Sequence, residues 1–254
     1  EAEQQGRSFD DIRAAARRTW NDDLGRIRVE GGTEAQKKVF YTGLYHALIH
    51  PNVLSDVNGE YPAMESAEIR TAEGNRYTVF SLWDTYRNLH QLLTLVYPER
   101  QLEMVRSMVG MYREWGWLPK WELYGRETFT MEGDPSIPVI VDTWMKGLRD
   151  FDMDAAYEAM RKSATTPGAR NRMRPDIDPY IEKGYVPLGF YARDLSGDNS
   201  VSHALEYYIA DHALSLLADS LGKKDDAALF RARSLGYKNY YSTESGTFRP
   251  ITKE

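Results

Sequence analysis

Helix-start signals recur along the whole chain, and they leave little room for a large sheet. Ser8 precedes an apolar series at helical spacing: Phe9, Ile12, Ala16, Trp20 and Leu24. Gly31-Gly32 breaks the chain. Thr33, with Gln36 three residues on, forms a capping box for a second helix. The apolar face of that helix is Val39, Phe40, Leu44, Tyr45 and Leu48, and Pro51 ends it. Ser81 is placed to cap a helix beginning SLWDTYRNLHQLLTLV. Pro98 opens another, with Leu102, Val105, Val109 and Tyr112 turned inward. Asp134-Pro135 reads as the N-cap and first residue of a helix running to about Leu148, with Val139, Ile140, Thr143, Trp144 and Met145 available for packing. Asp152 caps a helix bearing Met153, Ala156, Tyr157 and Met160. Ser200 or Ser202 opens a long one bearing Leu205, Ile209, His212, Leu216 and Leu217, stopped by Gly222. Asp225 or Asp226 begins the last, through Phe230 and Leu235, and the final GTFRPITKE is extended.

Less regular stretches lie between these helices. SDVNGEY reads as a turn, and residues 65–80 alternate weakly around Gly74-Asn75, as a small hairpin would. Prolines and glycines punctuate residues 163–200, leaving room for a short helix near Tyr180. A stretch of that length is usually functional or a surface segment. No fixed-period repeat signals a solenoid. The expectation is an all-α domain with minor β-hairpin content. Periodicity alone fits a toroid of paired helices and a plain bundle equally well.

Composition narrows the function. The 254 residues carry a formal net charge of −6, which argues against nucleic acid as the main partner. There is no cysteine, hence no disulfide framework, thiolate nucleophile or Cys-ligated zinc. No run of 18 apolar residues offers a membrane-spanning helix, and no signal peptide is visible. The first residue is Glu1, as in a processed piece or part of a longer chain.

One stretch carries chemistry, WGWLPKWELYGRETFTMEGDPSIPVIVDTWMK, residues 115–146. Trp115, Trp117 and Trp121 precede a polar loop with Glu122, Glu127, Glu132 and Asp134. Flat aromatic rings cover the apolar face of a sugar, and carboxylates accept from its hydroxyls. The same groups packed as core and solvated loop are the plain alternative. In SLWDTYR, Asp84 and Arg87 stand three apart, either as a surface ion pair or with Asp84 accepting from a hydroxyl in a pocket. Asp142 and Lys146 form an i,i+4 pair. Asp194, Asp198 and Asn199 are loop residues of ligand type whose plainer reading is solvation.

These segments resemble the catalytic domain of glycoside hydrolase family 92, calcium-dependent, inverting, exo-acting α-mannosidases. The similar stretches are GGTEAQKKVFYTGLYHALIHPNVLSDVNGEY, YTVFSLWDTYRNLH, LLTLVYPERQLEMVRSMVGMYREWGWLPKW, RETFTMEGDPSIPVIVDTWMKG and SVSHALEYYIADHALSLLADSLGKKDD. They run in order over nearly the whole chain. The resemblance implies a helical catalytic-domain fragment over residues 1–254, part of an (α/α)6 toroid. An N-terminal β-sandwich and the C-terminal part of the catalytic region would lie outside it. It implies release of terminal mannose from α-linked glycans, in N-glycan degradation, in a secreted or periplasmic setting. Glu127, in the family's G-x-E-T position, is the implied general acid, with Arg126 where asparagine is usual. Asp84 matches an acid near the bound mannose, and Glu206 matches a cavity-facing position. The LEY segment continues as YYIADH, with Asp211 as its one acid where two are common. The general base is expected beyond Glu254, so this fragment alone should turn mannosides over poorly.

The expected site therefore gathers Trp83, Asp84, Arg87, Trp117, Trp121 and Glu206 as substrate-binding residues around Glu127. Inversion needs two carboxyls ~6.5–9.5 Å apart, with water between base and sugar. Glu127 must then be protonated, which calls for an apolar wall such as Trp117 or Trp121. Ca2+, held by oxygen ligands the sequence does not name, would grip two vicinal hydroxyls. The rival readings are another glycosidase on the same toroid, and a non-catalytic glycan-binding fragment.

Overall fold

A computed structural model describes residues 4–190 and 199–252. Of the described residues 54% are helical and 9% are in strands, which excludes a sheet-built fold. Helix α1 (Phe9–Leu24) starts where Ser8 Oγ accepts from Asp11 N–H and the Asp11 carboxylate accepts in return from Ser8 N–H. Helix α2 (Glu34–Ala47) has the same reciprocal box between Thr33 and Gln36. Their apolar stripes are only partly covered. Leu44 and Leu48 are buried, and Trp20 and Leu24 pack against the core, but Phe9 is 77% and Val39 73% exposed. Helical spacing identifies a stripe; it does not say how much of it a neighbour covers.

The β content is finer than the sequence suggests. Strands β1 (Asn52–Val53) and β4 (Tyr77–Thr78) pair antiparallel. The hairpin joins β2 (Glu60–Pro62) to β3 (Ile69–Thr71), earlier than the expected 65–80, and Gly74-Asn75 instead leads the chain back toward β1. A third sheet joins β5 (Phe80–Ser81), β6 (Trp121–Leu123) and β7 (Arg126–Glu127). Strands of two or three residues carry too little alternation to be read from sequence.

The helix expected from Ser81 is two helices, α3 (Leu82–Thr85) and α4 (Leu89–Val96). Ser81 Oγ donates to the Asp84 carboxylate rather than capping backbone N–H groups. Asn88, at φ −155°, breaks the run, and Gln91 Nε2 satisfies the carbonyl of Tyr86 at 2.6 Å. Helix α5 (Pro98–Trp115) begins at its proline and ends at Gly116, whose φ of +92° needs glycine. Helix α6 (Ser136–Met145) stops short of Leu148. Helix α7 (Met153–Thr165) is capped by Asp152, which accepts from Ala155 N–H at 3.0 Å. The short helix near Tyr180 is α8 (Ile177–Lys183). Then come α9 (Ser200–Ser220), α10 (Lys224–Ser234) and a terminal hairpin of β8 (Tyr241–Ser242) and β9 (Thr247–Phe248).

The core lies where α5, α6, α7 and α9 meet, around Met108, Ile137, Ile140, Met160, Leu214 and Leu217. Here α9 is rotated from expectation: of the expected series Leu217 is buried and Leu205 packs against a second cluster, but the rest do not follow. Its buried face carries His203, Tyr207, Asp211, Leu214 and Ala218, while Ile209, His212 and Leu216 are exposed. The buried face is partly polar, so counting hydrophobic residues misplaces part of the stripe.

His90 ties three helices together. Its Nδ1 lies 2.9 Å from Gln101 Oε1, and Gln101 Nε2 donates to Thr143 Oγ1 at 2.9 Å. Burial pushes its pKa down to about 4. Between about 6.5 and 4 the unfolded chain therefore takes up a proton that the native state refuses, so stability falls as pH drops through this window. His90→Gln should flatten that part of a denaturation profile. An unchanged slope would rule out His90 as the source.

Candidate functional site

The three-stranded sheet is braced by two buried glutamates. Glu122 and Glu127 stand opposite each other in register, where like charges repel unless each is satisfied. Glu122 accepts from Thr78 Oγ1 at 2.9 Å, Val79 N–H at 3.1 Å and Gly125 N–H at 2.6 Å. Glu127 accepts from the N–H groups of Lys120 at 2.7 Å, Trp121 at 3.0 Å and Phe129 at 2.8 Å. Burial pushes both carboxyls up, and these hydrogen bonds pull them back toward the ionised form. The bonds also hold strained backbone. Val79, Tyr124, Phe129 and Met131 have φ of 61°, 50°, 56° and 66°, a region costing about 1–3 kcal/mol per non-glycine residue. The N–H groups of Val79 and Phe129 donate to the two glutamates, and that of Tyr124 to Thr78 Oγ1 at 2.9 Å.

A second cluster joins α3 to α9. The Glu206 carboxylate accepts from Trp83 Nε1 at 3.1 Å, Tyr86 Oη at 2.7 Å and Arg87 Nη2 at 3.0 Å. The Arg87 guanidinium lies 4.9 Å from the ring centres of both Trp83 and Tyr86. Arg87 therefore pairs with Glu206, not with Asp84 as its spacing suggested; the longer reach across to α9 wins. Asp84 instead lines a cavity of about 540 Å3 with His46, His50, Thr85, Asn88 and Leu92. The loop before α6 packs on this cluster. A Cβ on Gly133, at φ +71°, would lie 2.5 Å from Glu206 Cβ, so only glycine lets the two approach.

Deeper in, Arg174 is fully buried between Asp134, at 2.9 Å, and Asp211, at 2.7 Å. Ser163 Oγ donates to Asp134 at 2.7 Å and Tyr180 Oη to Asp211 at 2.8 Å. Asp134 is thus not the expected N-cap of α6, whose cap position is Pro135. Its carboxylate turns to the buried guanidinium instead, where a charge-assisted bond is stronger than a cap. Next to this pair, Asp176 accepts from Tyr207 Oη at 2.6 Å and contacts His203 Nδ1 at 3.0 Å, and His203 Nε2 meets Glu132. Sequence reading missed Arg174, Asp176 and His203. Two of them sit in proline-punctuated chain without periodicity, and no motif marks them.

The candidates fall into linked groups. Ser81 pairs with Trp121 across the sheet and donates to Asp84, so Asp84, Trp121 and Glu127 share one braced unit. Trp83, Arg87 and Glu206 form the bridge to α9. Trp117 is buried, with Lys162 Nζ 4.6 Å from its ring centre. Of all of these, the cavity at α2 takes in Asp84. Among the described residues, no group of three or more His, Cys, Asp or Glu side chains is placed to hold a metal ion. The buried aspartates are already engaged by Arg174, tyrosines or His203, so they do not supply the six to eight oxygens that Ca2+ takes. Asp194 and Asp198 lie outside the described residues, and Asn199 directly precedes α9.

Indoles and carboxylates gathered around a short braced sheet are the kinds of group that a sugar site uses. Residues 1–254 match the Glycosyl hydrolase family 92 catalytic domain, and the chain belongs to that family. A family GH92 α-mannosidase from Bacteroides thetaiotaomicron, also solved in complex with mannoimidazole, superposes with a TM-score of 0.90 at 35% identity, over 99% of this chain and 33% of its own in the uncomplexed structure. A second enzyme of that organism, described as an inverting mannosidase, gives 0.89 at 31% identity, over 99% of this chain and 34% of its own. An uncharacterized secreted glycosidase of Arthroderma benhamiae is 26% identical over 247 residues, 94% of this chain and 27% of its own length. The chain thus spans about a third of the solved relatives.

Proposed function

We propose that the enzyme containing this segment releases terminal α-linked mannose from glycans, with inversion and with calcium assistance. The observation that carries this reading is the agreement in fold, over 99% of the chain, with two mannosidases at more than 30% identity. On this reading the helices form part of an (α/α)6 toroid, completed with a β-sandwich and further catalytic region outside these 254 residues. The base and the calcium ligands come from outside the described residues. The closest fit for cellular setting is a secreted or periplasmic one, in keeping with the secreted relative. No described helix is long and apolar enough to cross a membrane.

Within the site we give Glu127 and Glu206 bracing roles. Each carboxylate already accepts from three donors of this chain. A general acid must carry a proton and offer it to the leaving oxygen. Burial raises the Glu127 carboxyl's pKa, as that role needs, but three backbone N–H donors already occupy the oxygens that would present the proton. We therefore assign Glu127 a bracing role in place of the acid role that its motif implies. The proton donor is then a carboxyl other than Glu122, Glu127 and Glu206. Asp84, facing the cavity, and the Trp121 ring are the groups we assign to substrate.

The test is hydrolysis of an α-mannosyl disaccharide by the intact enzyme, followed by NMR with and without a calcium chelator. Appearance of β-mannose first, lost on chelation, supports the proposal. Release of a different sugar, or α-mannose first, overturns it. Binding without turnover would favour the glycan-binding alternative.

A further inference from the structure

Every other buried ionisable side chain among the described residues has a hydrogen bond or an ion pair; Lys120 has neither. The residue is 3% exposed and sits between Trp117 and Trp121 in the segment that leads into the braced sheet. Its backbone N–H serves Glu127, but no acceptor binds its ammonium group. The carboxylates of Glu127, Asp134 and Asp176 act on it electrostatically without closing to an ion pair. A buried lysine side chain whose ammonium has no acceptor of the chain's own leaves that group to water or to a ligand.

We propose that Lys120 is a substrate-binding group whose ammonium donates to a hydroxyl of the bound sugar. This rests on the mannosidase reading above. Three features favour a neutral, hydroxyl-rich ligand. Trp121, the next residue in the chain, is only partly buried and offers a flat ring of the kind that covers the apolar face of a pyranose. Lysine offers three donors and no acceptor, matching hydroxyl oxygens. The surrounding carboxylates already balance the charge, so a second anion would be repelled. Burial lowers the ammonium's pKa, with the three carboxylates opposing it; a ligand oxygen would add to their side.

The experiment uses the intact enzyme with Lys120→Met and Lys120→Arg, measuring kcat and KM on an α-mannosyl disaccharide, affinity for mannoimidazole, and thermal stability without ligand. A hydrogen bond from a charged donor corresponds to roughly a 10- to 100-fold change in affinity. Lys120→Met should weaken mannoimidazole by that factor while the unliganded protein melts no lower than wild type. Lys120→Arg should not restore binding, because a planar fork does not replace a compact ammonium. Affinity within twofold of wild type overturns the proposal. So does a lower melting temperature in the unliganded Lys120→Met protein, which would mean that the ammonium serves the fold. If wild type releases no mannose, the functional reading fails on its own, and the melting comparison still decides whether Lys120 serves the unliganded fold.

Discussion

Replacing Arg174 with methionine should remove about 3–5 kcal/mol of folding stability, the usual cost of breaking a buried ion pair from one side. The guanidinium has no solvent exposure and answers two aspartates, Asp134 from the start of α6 and Asp211 from the middle of α9. Without it, both carboxylates lie in a low dielectric with only Ser163 and Tyr180 as donors. They would then stay protonated to higher pH in the folded state than in the unfolded one. Stability of the variant should therefore improve as pH falls from 7 toward 5, because the native state then binds more protons. Adding Asp134→Asn and Asp211→Asn should restore much of the loss. Chemical denaturation of the single and triple variants at two pH values measures this. A single-variant loss below about 1 kcal/mol would mean that the pair is solvated in solution.

The second large effect concerns Glu127. In the intact enzyme, Glu127→Gln should lower activity on an α-mannosyl disaccharide and on a dinitrophenyl mannoside by the same factor, and should lower the melting temperature. The carboxamide presents an N–H2 where backbone N–H groups now donate. At least one buried donor among Lys120, Trp121 and Phe129 loses its acceptor, at about 1–3 kcal/mol. A proton donor behaves differently. Its removal hurts a poor leaving group and spares a good one. Sparing of the dinitrophenyl substrate would therefore return Glu127 to the role its motif suggested.

The helices were legible because capping is local. Ser8, Thr33 with Gln36, Pro98 and Asp152 act within three or four residues of themselves, and each begins the helix its pattern implies. Three of the departures share one cause, a long-range polar contact or a polar buried face. Asp134 had the right neighbours for an N-cap but found Arg174, and Arg87 had Asp84 at helical spacing but found Glu206. The buried face of α9 was hidden because His203 and Asp211 belong to it. The site was partly legible. Trp83, Asp84, Trp121 and Glu127 do belong to connected elements, through Ser81 and Glu206. The donors that saturate Glu127 could not be foreseen, because backbone N–H groups leave no trace in a sequence pattern.

The sheet of β5, β6 and β7 also has a place in time. Phe80 pairs with Glu122, and all of α3, α4 and α5 lie between them in the chain. Contacts that close a long loop are costly until the intervening segment is compact. The β5–β6 pairing therefore closes only once α5 has folded back, and the strained turn at Val79 waits for Glu122, whereas the β6–β7 hairpin and the bond from Phe129 to Glu127 are local. The join between Asp84, on the β5 side, and Glu127, on the β6–β7 hairpin, thus depends on the long-range closure and not on either segment alone.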